Sequence, residues 1–325
     1  RPENVTAGFQ IQQPFYMGGS LKAGYGITDE SVKISVNELT LRKQAIISQV
    51  RQAFYMALYS QQLIRVSSEA LANAQRNLDQ VQNQSEVGLA SGFDVLRAKV
   101  QAANMRPQVI AARHKHEQAL TGLRTAMGLK ENVPIKARGE LIYTETHWAD
   151  SSIQSLQEIA FSKRLELENV EYNRKIHEYK LSLSRAKILP SVSAASLLQY
   201  QLQSNDFALY GNQYYRSISG GLNISIPLYH GGSNRAEIQE ASVALRQVDD
   251  AERQIENRIA AEVESAYHKL IQTREQLVTQ QETILQARES LHLAELQYQE
   301  GTATQLDVLN AQLALLQSQI NESEY

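Results

Sequence analysis

The chain has 325 residues, 42% of them apolar, a formal net charge of −3 and no cysteine. That composition is too apolar for disorder. It excludes disulfides and thiolate chemistry, and it holds no basic block of the kind a nucleic-acid binder needs. No run of eighteen apolar residues occurs, so no transmembrane helix is expected, and Arg1-Pro2-Glu3-Asn4 does not open a signal peptide.

In Asn4–Pro14, Val5, Ala7, Phe9 and Ile11 alternate with Asn4, Thr6, Gly8, Gln10 and Gln12, which predicts a strand with one apolar face, ended by Pro14. Gly18-Gly19 makes a turn. Ile27 to Val87 is free of Gly and Pro, enough for a helix of roughly 90 Å. Its apolar residues beat every seven positions at Val50, Ala57, Ile64, Leu71 and Leu78. A second seam, Ala53, Ser60, Ser67, Ala74 and Val81, is mostly small, so supercoiled helices can approach closely.

Gly88 suits the left-handed residue that ends this helix, Ser91 the N-cap of the next, and Asp94 the third position of a capping box. The returning helix runs from Asp94 to Met127, perturbed near Pro107. Residues 129–152, with Val133-Pro134, Gly139 and Trp148, read as a loop-and-strand patch, and Ile153 to about Lys187 as one helix ending before Pro190.

Two alternating runs follow. Val192, Ala194, Ser196, Leu198, Tyr200 and Leu202 share one face, as do Ile218, Gly220, Leu222, Ile224 and Ile226, and the opposite faces are hydroxyls and amides. The link between them is polar and carries Phe207 and Tyr210. Tyr200, Tyr210, Tyr214 and Tyr215 cluster at the far end of this hairpin, as an aromatic interface girdle would. Ser233 to Glu300 is again free of Gly and Pro, and Gly301, Thr304 and Asp307 repeat the turn.

The second half copies the first without a gap. Pro14 matches Pro227, 213 residues on, and Gly18-Gly19-Ser20 matches Gly231-Gly232-Ser233. Val50, Leu71 and Leu78 match Val263, Ile284 and Leu291, and Gly88 matches Gly301. Residues 153–203 have no counterpart in the first half, and residues 113–128 none in the second. The repeat therefore predicts a helix and a strand before Arg1 and the rest of a helix after Tyr325. An apolar face on so few strands cannot stand alone: from the strands alone an outer-membrane barrel, which takes several copies to close, and a small soluble sandwich fit equally well, and the long helical hairpins favour the barrel.

Leu189-Pro190, Ile226-Pro227-Leu228-Tyr229-His230-Gly231-Gly232 and the two turns resemble the TolC-type outer-membrane efflux proteins. The most specific marks are Val87-Gly88-Leu89-Ala90 with Asp94-Val95, and Tyr298 with Gly301-Thr302, Asp307-Val308-Leu309 and Ala311. The resemblance covers essentially the whole chain. It implies a mainly α protein with a small β part, built from two repeats of long antiparallel coiled-coil hairpins, forming an α/β-barrel homotrimer when complete.

In those terms 1–14 and 190–227 are barrel strands, 15–128 the first helical hairpin and 129–152 an equatorial patch. Residues 153–189 are a helix of the second repeat, and 228–325 the second hairpin. The implied role is a passive exit duct of a tripartite efflux or type I secretion system. It would lie in the outer membrane of a Gram-negative bacterium, extend into the periplasm, and meet a periplasmic adaptor and an inner-membrane transporter. Neither catalysis, nor a metal, nor any cofactor is implied, and no nucleic acid.

The resemblance also assigns sites. Asp307 falls where the family lines the pore at its narrow periplasmic end, and Asn310 stands where a second carboxylate is known. Tyr298 keeps the family's closing tyrosine near the region of Asp94, but Ala303 replaces an arginine, so a different closing contact is expected. Val87, Gly88, Leu89, Gly301 and Thr302 match adaptor-docking positions. From the residues alone, Asp94 and Asp307 are helix caps, and Gly88 and Gly301 helix terminators. The histidines suggest no metal pair, and no phosphate loop or nucleophile elbow occurs. The other architecture with long helical hairpins and a β part is a soluble periplasmic coiled-coil adaptor. Two tandem hairpins and uncharged strand faces disfavour it.

Overall fold

The computed structural model describes residues 3–144, 146–204 and 214–324. Phe207 and Tyr210 lie outside the described residues. The elements in order are β1 (Glu3–Met17), α1 (Ser20–Glu86), α2 (Gly92–Ala126), α3 (Ile153–Lys163), α4 (Leu165–Ala186), β2 (Ser191–Ser204), β3 (Tyr214–Ser225), α5 (Ser233–Gln299) and α6 (Gln305–Glu324). The chain is mainly helical with one small sheet. α1 and α5 have 67 residues each, which is about 100 Å of helix apiece. Two compact units divide it: Arg1–Thr40 with Glu158–Ala260, and Leu41–Gln157 with Ala261–Tyr325.

In the first unit the strands form an antiparallel sheet of order β1-β2-β3. Its register puts Phe9, Leu198 and Ile218 in one row, Tyr16, Val192 and Ile224 in another, and Ala7, Tyr200 and Arg216 in a third. All three rows lie on the same face. The opposite face carries Gln10, Gln12, Ser193, Gln199, Ser217, Ser219 and Asn223. The apolar side chains are bare: Phe9 is 65% exposed and Leu222 72%.

β1 does not end at Pro14. It continues to Met17 because a bulge between Pro14 and Tyr16 shifts the register, and a proline without an N–H is tolerated there on an edge strand.

α1 begins at Ser20, earlier than the Gly/Pro-free stretch, and includes Gly24 and Gly26. A Cβ on Gly26 would lie 2.5 Å from the ring of Tyr179, so this glycine makes room for α4. α4 is then tied on two sides. Asn37 donates to Glu168 at 3.1 Å, and Tyr172 donates to the same carboxylate. Arg174 donates to both Asp249 and Glu252 of α5, and Lys187 pairs with Glu237. The single helix expected over 153–187 is broken at Arg164, whose extended backbone (φ −75°, ψ 120°) caps α4. No glycine or proline marks that break.

In the second unit α1 and α2 form a hairpin whose core holds Val66, Ala74, Leu78, Val81, Ala98, Ala102 and Met105. The seam of small residues is the deeper one: Ser60 and Val81 are fully buried, whereas Ile64 and Leu71 are half-buried. Ser60 satisfies its hydroxyl on the Ala57 carbonyl (2.9 Å) and His116 Nδ1 (3.0 Å). α2 runs unbroken through Pro107, which lies on its exposed side.

Residues 129–152 form no strand among those described, only a 3-10 turn at His147–Asp150. They lie irregularly on the hairpin instead. Val133 accepts from Arg124 Nε at 3.0 Å, and Ile135 and Ala137 line a cleft with Val50, Phe54 and Leu123.

The Gly26–Tyr179 contact makes a separable prediction. Gly26→Ala should destabilise by about 1–3 kcal/mol through overpacking. In a Tyr179→Ala background the same change should be neutral or stabilising, because alanine is the better helix former by about 1 kcal/mol. Thermal unfolding followed by helical circular dichroism reads both, and equal effects in the two backgrounds would refute the contact.

Candidate functional site at the hairpin tips

The two turns share one backbone. Gly88 and Gly301 both have φ 75°, the left-handed conformation that a side chain resists. Leu89 N bonds to Gln84 O at 2.8 Å, and Thr302 N to Gln297 O at 2.9 Å. Ala90 and Ala303 repeat the bond to the same two carbonyls. These paired bonds close the last turns of α1 and α5.

The returning helices start on carboxylates. Ser91 N and Oγ donate to Asp94 Oδ2 at 3.2 and 2.6 Å, and Asp94 N donates back to Ser91 Oγ, completing a capping box. Thr304 N and Oγ1 donate to Asp307 Oδ2 at 2.8 and 2.6 Å. The Thr304 hydroxyl, followed by its backbone N–H, holds the Asp307 carboxyl below the usual carboxylate range. A ring of like charges would push in the opposite direction.

Tyr298, on the last turn of α5, packs against the α1–α2 core and also against the α5–α6 core of Ile284, Leu291, Val308, Ala311 and Leu315. Burial raises its hydroxyl above the ordinary tyrosine range, and the charge of Asp94 adds to that. The two turns are therefore electrically in touch at Tyr298 and Asp94, although Ala303 offers no cation. Asp307 and Asn310 line an open groove between α5 and α6 with Gln286, Ser290 and Gln297. Val87 and Leu89 stand out at the first turn, Leu89 80% exposed, and Gly88, Gly301 and Thr302 are exposed as well.

One residue escaped sequence reasoning. Gln305 is only 2% exposed, and neither its amide nitrogen nor its oxygen has a partner among the described residues. Its repeat counterpart is the exposed Gly92, so the repeat carried no signal for it.

No helix among the described residues is long and apolar enough to cross a membrane. A model of the outer membrane efflux protein family matches residues 2–129 and 156–325. The pyoverdine export outer membrane protein OpmQ of Pseudomonas aeruginosa is 24% identical over 318 residues, covering 98% of this chain and 65% of its own length. The outer membrane protein TolC of Vibrio cholerae is 22% identical over 320 residues, covering 98% of this chain and 72% of its own. The crystal structure of the outer membrane protein VceC from Vibrio cholerae shares the fold, with a TM-score of 0.80 at 16% identity over 100% of this chain and 83% of that one. This chain thus spans about two thirds of the length of the curated relatives it matches. Matched by the family model through both of its halves, it belongs to the outer membrane efflux protein family.

Proposed function

We propose that the complete protein is a passive exit duct in the outer membrane of a Gram-negative bacterium, the last segment of a tripartite efflux or type I secretion system. The observation that carries this reading is the sheet. One face is apolar and largely exposed, the other is mostly hydroxyl and amide with Ala195, Leu197 and Tyr215 among them, and β1 and β3 each leave an outer edge unpaired among the described residues. From the Tyr16 row to the Tyr200 row is eight residues along β2, or about 27 Å. An outer-membrane barrel presents an apolar band about 25 Å tall between aromatic girdles. Arg216 sits at the Tyr200 end of the apolar face, its guanidinium 5.9 Å from that ring, where a long cation can reach the interface. Family membership supports the duct over the soluble adaptor.

Free edges close when copies join, so three protomers would share one barrel and a helical tunnel beneath it. The strand spans 1–14 and 190–227 then belong to the barrel, and 15–128 and 228–325 are the two hairpins of the tunnel wall. Asp307 and Asn310 line the bore near its periplasmic end, and Tyr298 with Asp94 holds the two turns together when closed. An adaptor meets the tip at Val87, Gly88, Leu89, Gly301 and Thr302, and an inner-membrane transporter supplies the cargo. The relatives' names, which include pyoverdine export, support an export role for such a duct.

Planar bilayers with the full-length protein test the duct. Trimers should conduct weakly and prefer cations, and Asp307→Ala should reduce that preference. A folded full-length trimer that never conducts would refute the reading.

The pH dependence has a definite sign. Because Thr304 holds Asp307 ionised, its charge and its cap both persist at neutral pH. They are lost only as pH falls through a folded pKa below the usual carboxylate range. Thr304→Val should move the acid loss of cation preference to higher pH, and an unmoved midpoint in bilayer titrations would exclude this source. At the tip, Leu89→Asp should abolish co-purification with the adaptor while leaving helical content and bilayer conductance intact.

A further inference from the structure

The irregular segment that follows α2 is anchored to the first hairpin at two points. At one, the Val133 carbonyl accepts from Arg124 Nε of α2 at 3.0 Å. At the other, Gly139 lies so close to α1 that a Cβ there would stand 3.4 Å from Leu58 and 3.8 Å from the ring of Phe54. Between the anchors, Ile135, Lys136 and Ala137 form one wall of a cleft of about 480 Å³. Its bed is Val50 and Phe54 of α1 with Leu123 and Met127 at the end of α2. That size and that lining are those of a small-molecule site.

Two cations complete the lining, Arg51 from α1 and Lys136 from the crossing segment. Both are exposed, and neither forms an ion pair among the described residues. The walls around them carry no acid. On α1 none stands between Glu38 and Glu69, a stretch that holds Arg42, Lys43, Arg51 and Arg65. None stands between Glu117 and Glu131 either, and Glu131 and Glu140 both lie outside the anchored stretch. A locally basic surface on a chain of net charge −3 is a selected feature.

The internal repeat shows that the charge is not needed by the hairpin itself. The α5 counterparts of Val50 and Phe54 are Val263 and Tyr267, so the apolar bed is kept. The counterpart of Arg51 is Glu264, and the α5 stretch matching the acid-free part of α1 holds Glu252, Glu256, Glu262, Glu264 and Glu275. Packing explains the repeated residues. The cations belong to the first hairpin alone, beside its cleft.

An apolar bed with cations at its rim and no competing carboxylate selects an apolar body with one anionic head. The segment spanning the cleft is held on α2 at one side and on α1 at the other. A compact molecule fits the space it spans, whereas a partner's running backbone would have to lift an anchor. We propose that this cleft binds a free fatty acid of medium length, its chain on Phe54, Leu123 and Met127 and its carboxylate between Arg51 and Lys136. A phospholipid is excluded because its second chain would have no wall. Bound ligand ties α1, the end of α2 and the crossing segment together. The proposal depends neither on the duct nor on the number of copies.

The test uses full-length protein in phospholipid nanodiscs, photolabelled with dodecanoate carrying a terminal diazirine, with the labelled peptides identified by mass spectrometry. Labels should fall on residues 50–55, 123–127 and 135–137. Unlabelled dodecanoate should compete them away, and dodecyltrimethylammonium, with the same chain and the opposite charge, should not. Arg51→Glu, which copies the charge of Glu264, and Lys136→Glu should each lower cleft labelling about tenfold, and Arg51→Lys should keep most of it. Both positions are exposed, so helical circular dichroism should be unchanged in all three variants. Competition by either head group alike would reduce the cleft to a bare apolar surface and overturn the proposal. Labels absent from the cleft would overturn it too, including where further residues of the full-length chain fill the space. Labels on the strands report on the bilayer and labels in the cleft on this site, so the duct and the fatty-acid site fail separately.

Discussion

The constraint that shapes this chain is apolar surface that its described residues leave uncovered. A strand has two faces and two edges, and an isolated three-stranded sheet with one bare apolar face has nowhere in water to put it. A helix of 67 residues with small residues along its deepest seam is in the same position, because Ser60, Ser67 and Ala74 bury little area each. Close approach along the whole length replaces depth of core. Such helices are held by many shallow contacts, and they leave further faces for further neighbours.

That constraint explains which features could be read from residues alone. The turns were legible because a left-handed glycine, a hydroxyl cap and a carboxylate three residues on are local requirements, met at Gly88-Ser91-Asp94 and again at Gly301-Thr304-Asp307. The strand faces were legible because alternation is local too, and the register of Phe9, Leu198 and Ile218 agrees with it. Features set by distant contacts were not. Gly24 and Gly26 argue against a helix until Tyr179 of α4 is seen to need the space at Gly26. The break at Arg164 has no residue to announce it, and Val133-Pro134 suggested a strand where no strand partner exists among the described residues. The burial of Gln305 depends on packing around α6 that its own segment does not encode.

The repeat supplied what local patterns lacked, because two copies of one element in different surroundings act as an internal control. Counterparts that differ in burial, such as Leu309 and Leu96, separate the part of the pattern that is intrinsic to a hairpin from the part its neighbours impose. Asp94 and Asp307 cap equivalent helices, but the counterpart of Tyr298 is Ser85, so only the second turn brings a tyrosine to the aspartate of the other.

The joint between α1 and α6 is not uniform along its length. Leu316 and Ile320 give it an apolar anchor beside Ala70 and Ala74. Toward the tip, the same faces carry Asn77 and Gln305, buried with amide atoms that lack partners. A buried polar atom left unpaired costs about 1–3 kcal/mol, and water would satisfy it once the helices part. The joint is therefore strongest away from the turns and weakest beside them. Tyr298, packed on both hairpin cores, is the aromatic contact that opposes this bias. Separating the ends of α6 and α1 would therefore leave the anchor at Leu316 in place.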